Sequence, residues 1–134
     1  MKIKGGCLCG AVRYTADADP TSATVCHCRD CQKFTGSAFA ALVRVAKEAV
    51  TIEGTLRTFT SIGGSGNPIL RHFCPECGSS IAEESATRRS DIILNVGTFD
   101  DPTAAKAARE IFQDDALSWV AVLGEIPRFA KRPG

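Results

Sequence analysis

Cys26-His27-Cys28-Arg29-Asp30-Cys31 is the densest of three cysteine blocks in this 134-residue chain; the others are Cys7-Leu8-Cys9 and Cys74-Pro75-Glu76-Cys77-Gly78. Together they hold all seven cysteines, an odd number that cannot pair completely into disulfides. The opening Met1-Lys2-Ile3-Lys4-Gly5 lacks the apolar stretch of a secretory signal. A reducing, cytoplasmic home is therefore expected, where disulfides are rare. The spacings point to metal instead. Side chains at i and i+2 of an extended strand point the same way, and those at i and i+3 of a tight turn converge. Cys-x-Cys and Cys-x-x-Cys each present two sulfurs to one ion, and zinc takes thiolate ligands at about 2.3 Å in a tetrahedron.

The block at 74–78 is the stronger turn. Pro75 presets one backbone angle, and Gly78 permits positive φ just after the second sulfur. A redox Cys-x-x-Cys needs a βαβ context that this sequence does not show. Seven donors divide into four and three. Four sulfurs close a tetrahedron, as structural zinc does; three leave a position open, as catalytic zinc does. Alternatively a side chain fills that position, with His27, Asp30 and His72 the candidates. A four-cysteine iron–sulfur cluster leaves the group of three unexplained.

Working outward, Pro, Gly, Asp and Ser interrupt apolar or alternating runs every ten to fifteen residues or so, the rhythm of a mostly β domain. The expected strands are Ala11–Thr15, Thr24–Cys26, Ala38–Val45, Val50–Glu53, Thr55–Thr60, Ile69–Cys74, Ser80–Glu84 and Asp91–Val96. In the last of these Ile92, Leu94 and Val96 share one face, while Ile93 makes the other face partly apolar. Short helices are expected at Arg29–Thr35 and at Pro102–Arg109, where proline leads and alanines follow; Arg109–Gln113 reads as extended again. The segment 61–68, Ser-Ile-Gly-Gly-Ser-Gly-Asn-Pro, reads as a solvated hairpin turn, and it lacks the Gly-Lys-Ser/Thr ending of a phosphate loop. Trp119 and Phe129 are read as core aromatics ahead of pocket-lining ones.

Composition narrows the function classes. Hydrophobic residues make up 44% and charged residues 23% of the chain, which excludes wholesale disorder. Residues 1–134 are read as one domain. A formal net charge of +1 argues against a protein held to nucleic acid by phosphate electrostatics. No apolar run approaches the roughly 20 residues of a membrane span.

Taken in order, Gly6-Cys7-Leu8-Cys9-Gly10-Ala11-Val12-Arg13-Tyr14, then Cys26-His27-Cys28-Arg29-Asp30-Cys31-Gln32-Lys33-Phe34-Thr35-Gly36-Ser37, then Phe73-Cys74-Pro75-Glu76-Cys77-Gly78 resemble the glutathione-dependent formaldehyde-activating enzyme family, which also includes vertebrate centromere protein V. Val96-Gly97-Thr98-Phe99-Asp100-Asp101-Pro102, Ser118-Trp119-Val120 and Pro127-Arg128-Phe129 carry the resemblance along nearly the whole chain. It implies a β-tent of twisted antiparallel sheets with two zinc ions and at most short helices. Cys7, Cys9, Cys74 and Cys77 would form the structural site; Cys26, Cys28 and Cys31 would form the catalytic one. It implies addition of glutathione, the substrate, to formaldehyde, giving S-hydroxymethylglutathione, a carbon–sulfur lyase activity. Arg29 and Lys33 flank the triplet and are the expected glutathione contacts, with Arg44, Arg57 and Arg71 also available. The expected partner is a small thiol, with no nucleic acid and no membrane; oligomeric state is left open. The competing readings are a non-catalytic zinc-binding interaction module and a thiol or metal sensor. This chain departs from the family's pattern at Ser118, where proline is common, and at Ala108–Phe112, where a histidine is often found.

Overall fold

The computed structural model describes residues 1–122 and 124–133. Strands β1 (Lys2–Gly6), β2 (Arg13–Asp17) and β5 (Val50–Glu53) form a three-stranded antiparallel sheet in the order β1-β2-β5. A seven-stranded sheet runs β10-β3-β4-β9-β8-β7-β6, built from β3 (Ala23–Cys26), β4 (Ala40–Ala46), β6 (Arg57–Ile62), β7 (Pro68–Phe73), β8 (Ser80–Ser85), β9 (Arg88–Asn95) and β10 (Ala107–Ile111). Helix α1 (Arg29–Thr35) is the one α-helix among the described residues. The expected mostly β tent of twisted sheets is therefore present. One detail differs: β10 lies parallel to β3, while the other pairs are antiparallel.

The period-2 alternation of the large sheet sorts side chains between a core and a site. On β4 and β9, Val43, Val45, Ile92 and Leu94 point into the main core, where they meet Ile3, Tyr14 and Ala16 of the small sheet. Each fully buried aliphatic side chain there removes enough apolar surface to contribute roughly 1.5–3 kcal/mol. The residues between them, Leu42, Arg44 and Ile93, face the opposite side and line an open cleft. The partly apolar second face expected from Ile93 is the floor of that cleft.

The helix expected at Pro102–Arg109 is corrected by the structure. Asp101 caps a single 3-10 turn at Pro102–Ala104, accepting from the Thr103 N–H at 3.1 Å. Ala105 is already extended, and Ala107–Ile111 is β10. Alanine propensity, a few tenths of a kcal/mol per residue, gives way to ladder pairing with β3. Strand β1 was not expected, although Ile3 between two lysines carries the alternation. Trp119 is also corrected: it is 76% exposed rather than core. Phe129 is half-buried.

Candidate metal centres and cleft

Cys7 and Cys9 follow β1, and Cys74 and Cys77 sit in the turn between β7 and β8. Gly78 adopts φ +76°, and its N–H donates to the Cys74 carbonyl at 2.8 Å, closing the turn. The four sulfurs lie within 4.8 Å of one another, with Cys7–Cys9 at 3.6 Å and Cys9–Cys74 at 3.8 Å. A tetrahedron with arms of about 2.3 Å has edges of about 3.8 Å, so this donor set fits zinc. The Val12 N–H donates to Cys7 Sγ at 3.2 Å. The Ser79 hydroxyl and N–H push the Cys77 thiol down to about 5. Although the Ala11 N–H favours its thiolate, the neighbouring sulfurs push Cys9 up to about 12. Such a centre joins the small sheet to the large one across 65 residues of sequence.

Cys26 ends β3, Cys28 caps α1 and Cys31 lies in its first turn. Cys28 Sγ accepts from the Cys31 N–H at 3.3 Å. Gly36, at φ +68°, ends the helix in the left-handed conformation that glycine tolerates best. The three sulfurs also lie within 4.8 Å of one another. Thiols of Cys26 and Cys31 donating to Cys28 push it down to about 2; the bond to Cys28 pushes Cys26 up to about 12, and the bonds to Cys26 and then Cys28 push Cys31 up. Further thiolates at this spacing require a cation between them. All seven cysteines are free.

None of the three candidates for a fourth ligand joins this group. His27 is buried, and its Nε2 lies 2.7 Å from Glu110 Oε1. His72 has both nitrogens engaged, Nδ1 with Thr58 Oγ1 at 2.7 Å and Nε2 with Glu84 Oε2 at 2.6 Å. Asp30 lines the cleft, 3.9 Å from an Arg71 nitrogen.

The triplet opens onto the cleft, whose volume is about 880 Å³; none of the four other cysteines lines it. Arg71 on the floor is buried, donates to Glu83 Oε2 at 2.8 Å and Ser61 Oγ at 3.0 Å, and lies over the Phe34 ring at 5.5 Å. Burial pushes the Glu83 carboxyl up, opposed by Arg71. The hairpin turn contributes Gly63, Gly64, Ser65 and Asn67 to the cleft wall. A Cβ built on Gly64 would stand 3.1 Å from the ring of Phe112, which itself has a left-handed backbone (φ 53°). A non-glycine residue held there costs of order 1–3 kcal/mol, and hydrogen bonds from the Phe112 and Gln113 N–H groups to the Lys131 and Phe129 carbonyls, both 2.9 Å, maintain it.

Of the expected glutathione contacts, Arg29 lines the cleft. Lys33 lines a smaller adjoining depression of about 230 Å³ with Asp30, Phe34, Phe59, Ser61 and Arg71. Arg44 and Arg71 line the main cleft, whereas Arg57 does not. Glu83, Arg109 and Phe112 were not singled out from sequence. Alternation along Ala107–Ile111, read as a strand, would have placed Arg109 and Ile111 on one face.

Comparison with known proteins agrees with these features. The family model described as "Glutathione-dependent formaldehyde-activating enzyme" matches residues 2–115. A curated protein of Halomonas elongata, provisionally named a glutathione-dependent formaldehyde-activating enzyme, is 30% identical over 86 residues. That alignment covers 60% of this chain and 55% of the relative, so the chain spans about half the length of the curated relative it matches. A crystal structure of a Rhodobacter sphaeroides protein superposes with a TM-score of 0.58 at 21% identity, covering 93% of this chain and 98% of that one, and shows the same fold.

Proposed function

Because the chain belongs to the glutathione-dependent formaldehyde-activating enzyme family, we propose that it is a zinc-dependent enzyme acting on a glutathione-type thiol. The reaction would add that thiol to formaldehyde, giving S-hydroxymethylglutathione, in the carbon–sulfur lyase class. The observation that carries this reading is the unequal surroundings of the two sulfur groups: three cysteines face a cleft, and four lie away from it. Cys7, Cys9, Cys74 and Cys77 would hold a structural zinc. Cys26, Cys28 and Cys31 would hold a second, with room for a substrate sulfur. Zinc bound at the second site would supply Lewis acidity, lowering the pKa of a thiol that reaches it.

The protein's own residues then bind and orient. In the overall reaction a carbon–sulfur bond forms, the carbonyl π bond opens, and the thiol proton ends on the new hydroxyl oxygen. Formaldehyde is already strongly electrophilic, so holding the two reactants together is the main task. Arg29 would hold a carboxylate of the thiol at the cleft wall, and Lys33 would contribute from the adjoining depression. Leu42, Ile93 and Ile111 give the floor an apolar surface. Residues 1–134 would act as one zinc-binding domain. A cytoplasmic setting, where thiols stay reduced, goes with this reading. Among the described residues no helix is long and apolar enough to cross a membrane.

The test is metal analysis joined to a turnover assay. The reading expects two zinc ions per chain and a rate of S-hydroxymethylglutathione formation above the uncatalysed one, lost in Cys28→Ala. Zinc-loaded protein that neither binds glutathione in calorimetry nor raises that rate would overturn it.

A further inference from the structure

The cleft lining holds six arginines against four carboxylates, those of Asp30, Glu83, Glu84 and Asp115. The arginines are Arg29, Arg44, Arg71, Arg88, Arg109 and Arg132. Three are matched to acids. Arg71 pairs with Glu83, and Arg44 and Arg88 converge on Asp91. Arg29, Arg109 and Arg132 form no ion pair with a carboxylate among the described residues.

Arg109 is held in a defined place. The parallel register puts it opposite Thr24 and puts Ile111 opposite Cys26, so Arg109 stands one pleat along the cleft face from the triplet. Its Nε donates to Thr24 Oγ1 at 3.0 Å, and its terminal nitrogens make no hydrogen bond among the described residues. Arg132 reaches the same cleft on a segment tied back by the Phe112 N–H to Lys131 carbonyl bond and by the ion pair of Arg128 with buried Glu110. Uncompensated guanidinium groups around a concave site concentrate anions, and each fork matches a carboxylate through two parallel hydrogen bonds.

We propose that Arg109 and Arg132 are the specificity-determining residues of this cleft, selecting thiols that carry two separate carboxylates over neutral thiols. This rests on the thiol-binding reading above and adds to it which feature of the thiol is recognised and by which residues.

The experiment separates recognition from chemistry by using S-methylglutathione, which keeps both carboxylates but has no thiol to ionise. Its binding to zinc-loaded protein is measured by calorimetry for the wild type, for the double variant Arg109→Gln/Arg132→Gln, and for Arg89→Gln, an exposed arginine outside the cleft. The expected result is binding weakened about tenfold or more in the double variant and unchanged in Arg89→Gln. In steady-state assays the double variant should raise KM for glutathione with kcat retained, and leave the rate with 2-mercaptoethanol unaltered. Equal affinity in wild type and double variant, or no measurable binding of S-methylglutathione to the wild type, overturns the proposal. Formaldehyde turnover is scored separately: arginine-dependent binding without turnover removes the formaldehyde reaction and keeps the recognition, whereas turnover with arginine-independent binding does the reverse.

Discussion

Glu110 Oε1 lies 2.7 Å from His27 Nε2, with both side chains almost completely buried, and the other oxygen of Glu110 accepts from Arg128 Nε. This one carboxylate joins β3, β10 and the segment after residue 126. It also explains why His27, set between two cysteines, is turned away from them. Alternation along the extended Cys26-His27-Cys28 stretch sends the sulfurs to the cleft and the imidazole to the opposite side.

Removing that carboxylate should be costly. Glu110→Ala leaves the buried His27 imidazole without its acceptor, while the partly exposed Arg128 keeps the carbonyls of Ile126, Val122 and Gly124; an unsatisfied buried polar group typically costs about 1–3 kcal/mol. Glu110→Gln keeps an acceptor oxygen and should cost less. The midpoint of urea unfolding, measured on metal-loaded protein, checks this order; equal midpoints for the wild type and the alanine variant would refute it.

The two sulfur groups should respond differently to mutation. Cys74→Ser opens the donor set that ties the small sheet to the large one, and zinc sites of this kind contribute roughly 10–16 kcal/mol of apparent binding energy in zinc-finger peptides. Loss of folded protein is expected. Cys28→Ala should lower zinc content from two ions to one while circular dichroism stays that of the wild type. Collapse of the fold in Cys28→Ala would make the triplet structural as well.

Tyr14 supplies an alkaline test. It is 2% exposed, its hydroxyl shares a 2.7 Å hydrogen bond with Thr98 Oγ1, and burial pushes the phenol up to about 12. The folded state thus holds the proton more tightly than the unfolded chain, whose phenol titrates near 10. The associated stability is fully present below pH 10 or so and is lost as pH rises from there through the folded value, by about 3 kcal/mol in all. Tyr14→Phe should be less stable by about 1 kcal/mol at neutral pH, from the lost hydrogen bond, and should lack this alkaline decline. Chemical denaturation at a series of pH values from 8 to about 12 reads both effects.

Gly78→Ala isolates backbone strain. A Cβ at this position meets nothing within 4 Å, so sterics with neighbours play no part. The φ of +76° still disfavours an L side chain by about 1–3 kcal/mol. Because the residue closes the turn that presents Cys74 and Cys77, zinc release to a competing chelator should quicken in the variant. A release rate equal to that of the wild type would count against the link between this turn and the metal.

Much of this molecule is legible one segment at a time. The Cys-x-Cys and Cys-x-x-Cys spacings bring donors together through local geometry, so the sulfur blocks can be recognised before any fold is known. The glycine after Cys77 and the short helix after Cys28 are likewise local. So is the alternation around Ile92, Ile93 and Leu94, which announces a sheet with two occupied faces.

Other features depend on partners distant in sequence. Extension from Arg109 onward is legible in the sequence, but the strand begins at Ala107, within the alanine-rich stretch, because β3 offers an edge to pair with. His27 looked like a ligand by adjacency to cysteine and is instead a buried partner of a glutamate 83 positions away. Arg109 gained its place at the cleft through the same long-range pairing. The sequence by itself determined which residues can hold metal and that they sit in a β protein, since both are short-range properties. Tertiary structure alone decided which sulfur group faces open space and which charges remain unpaired around it, because cleft walls and ion pairs are assembled from strands that meet only when the sheet closes.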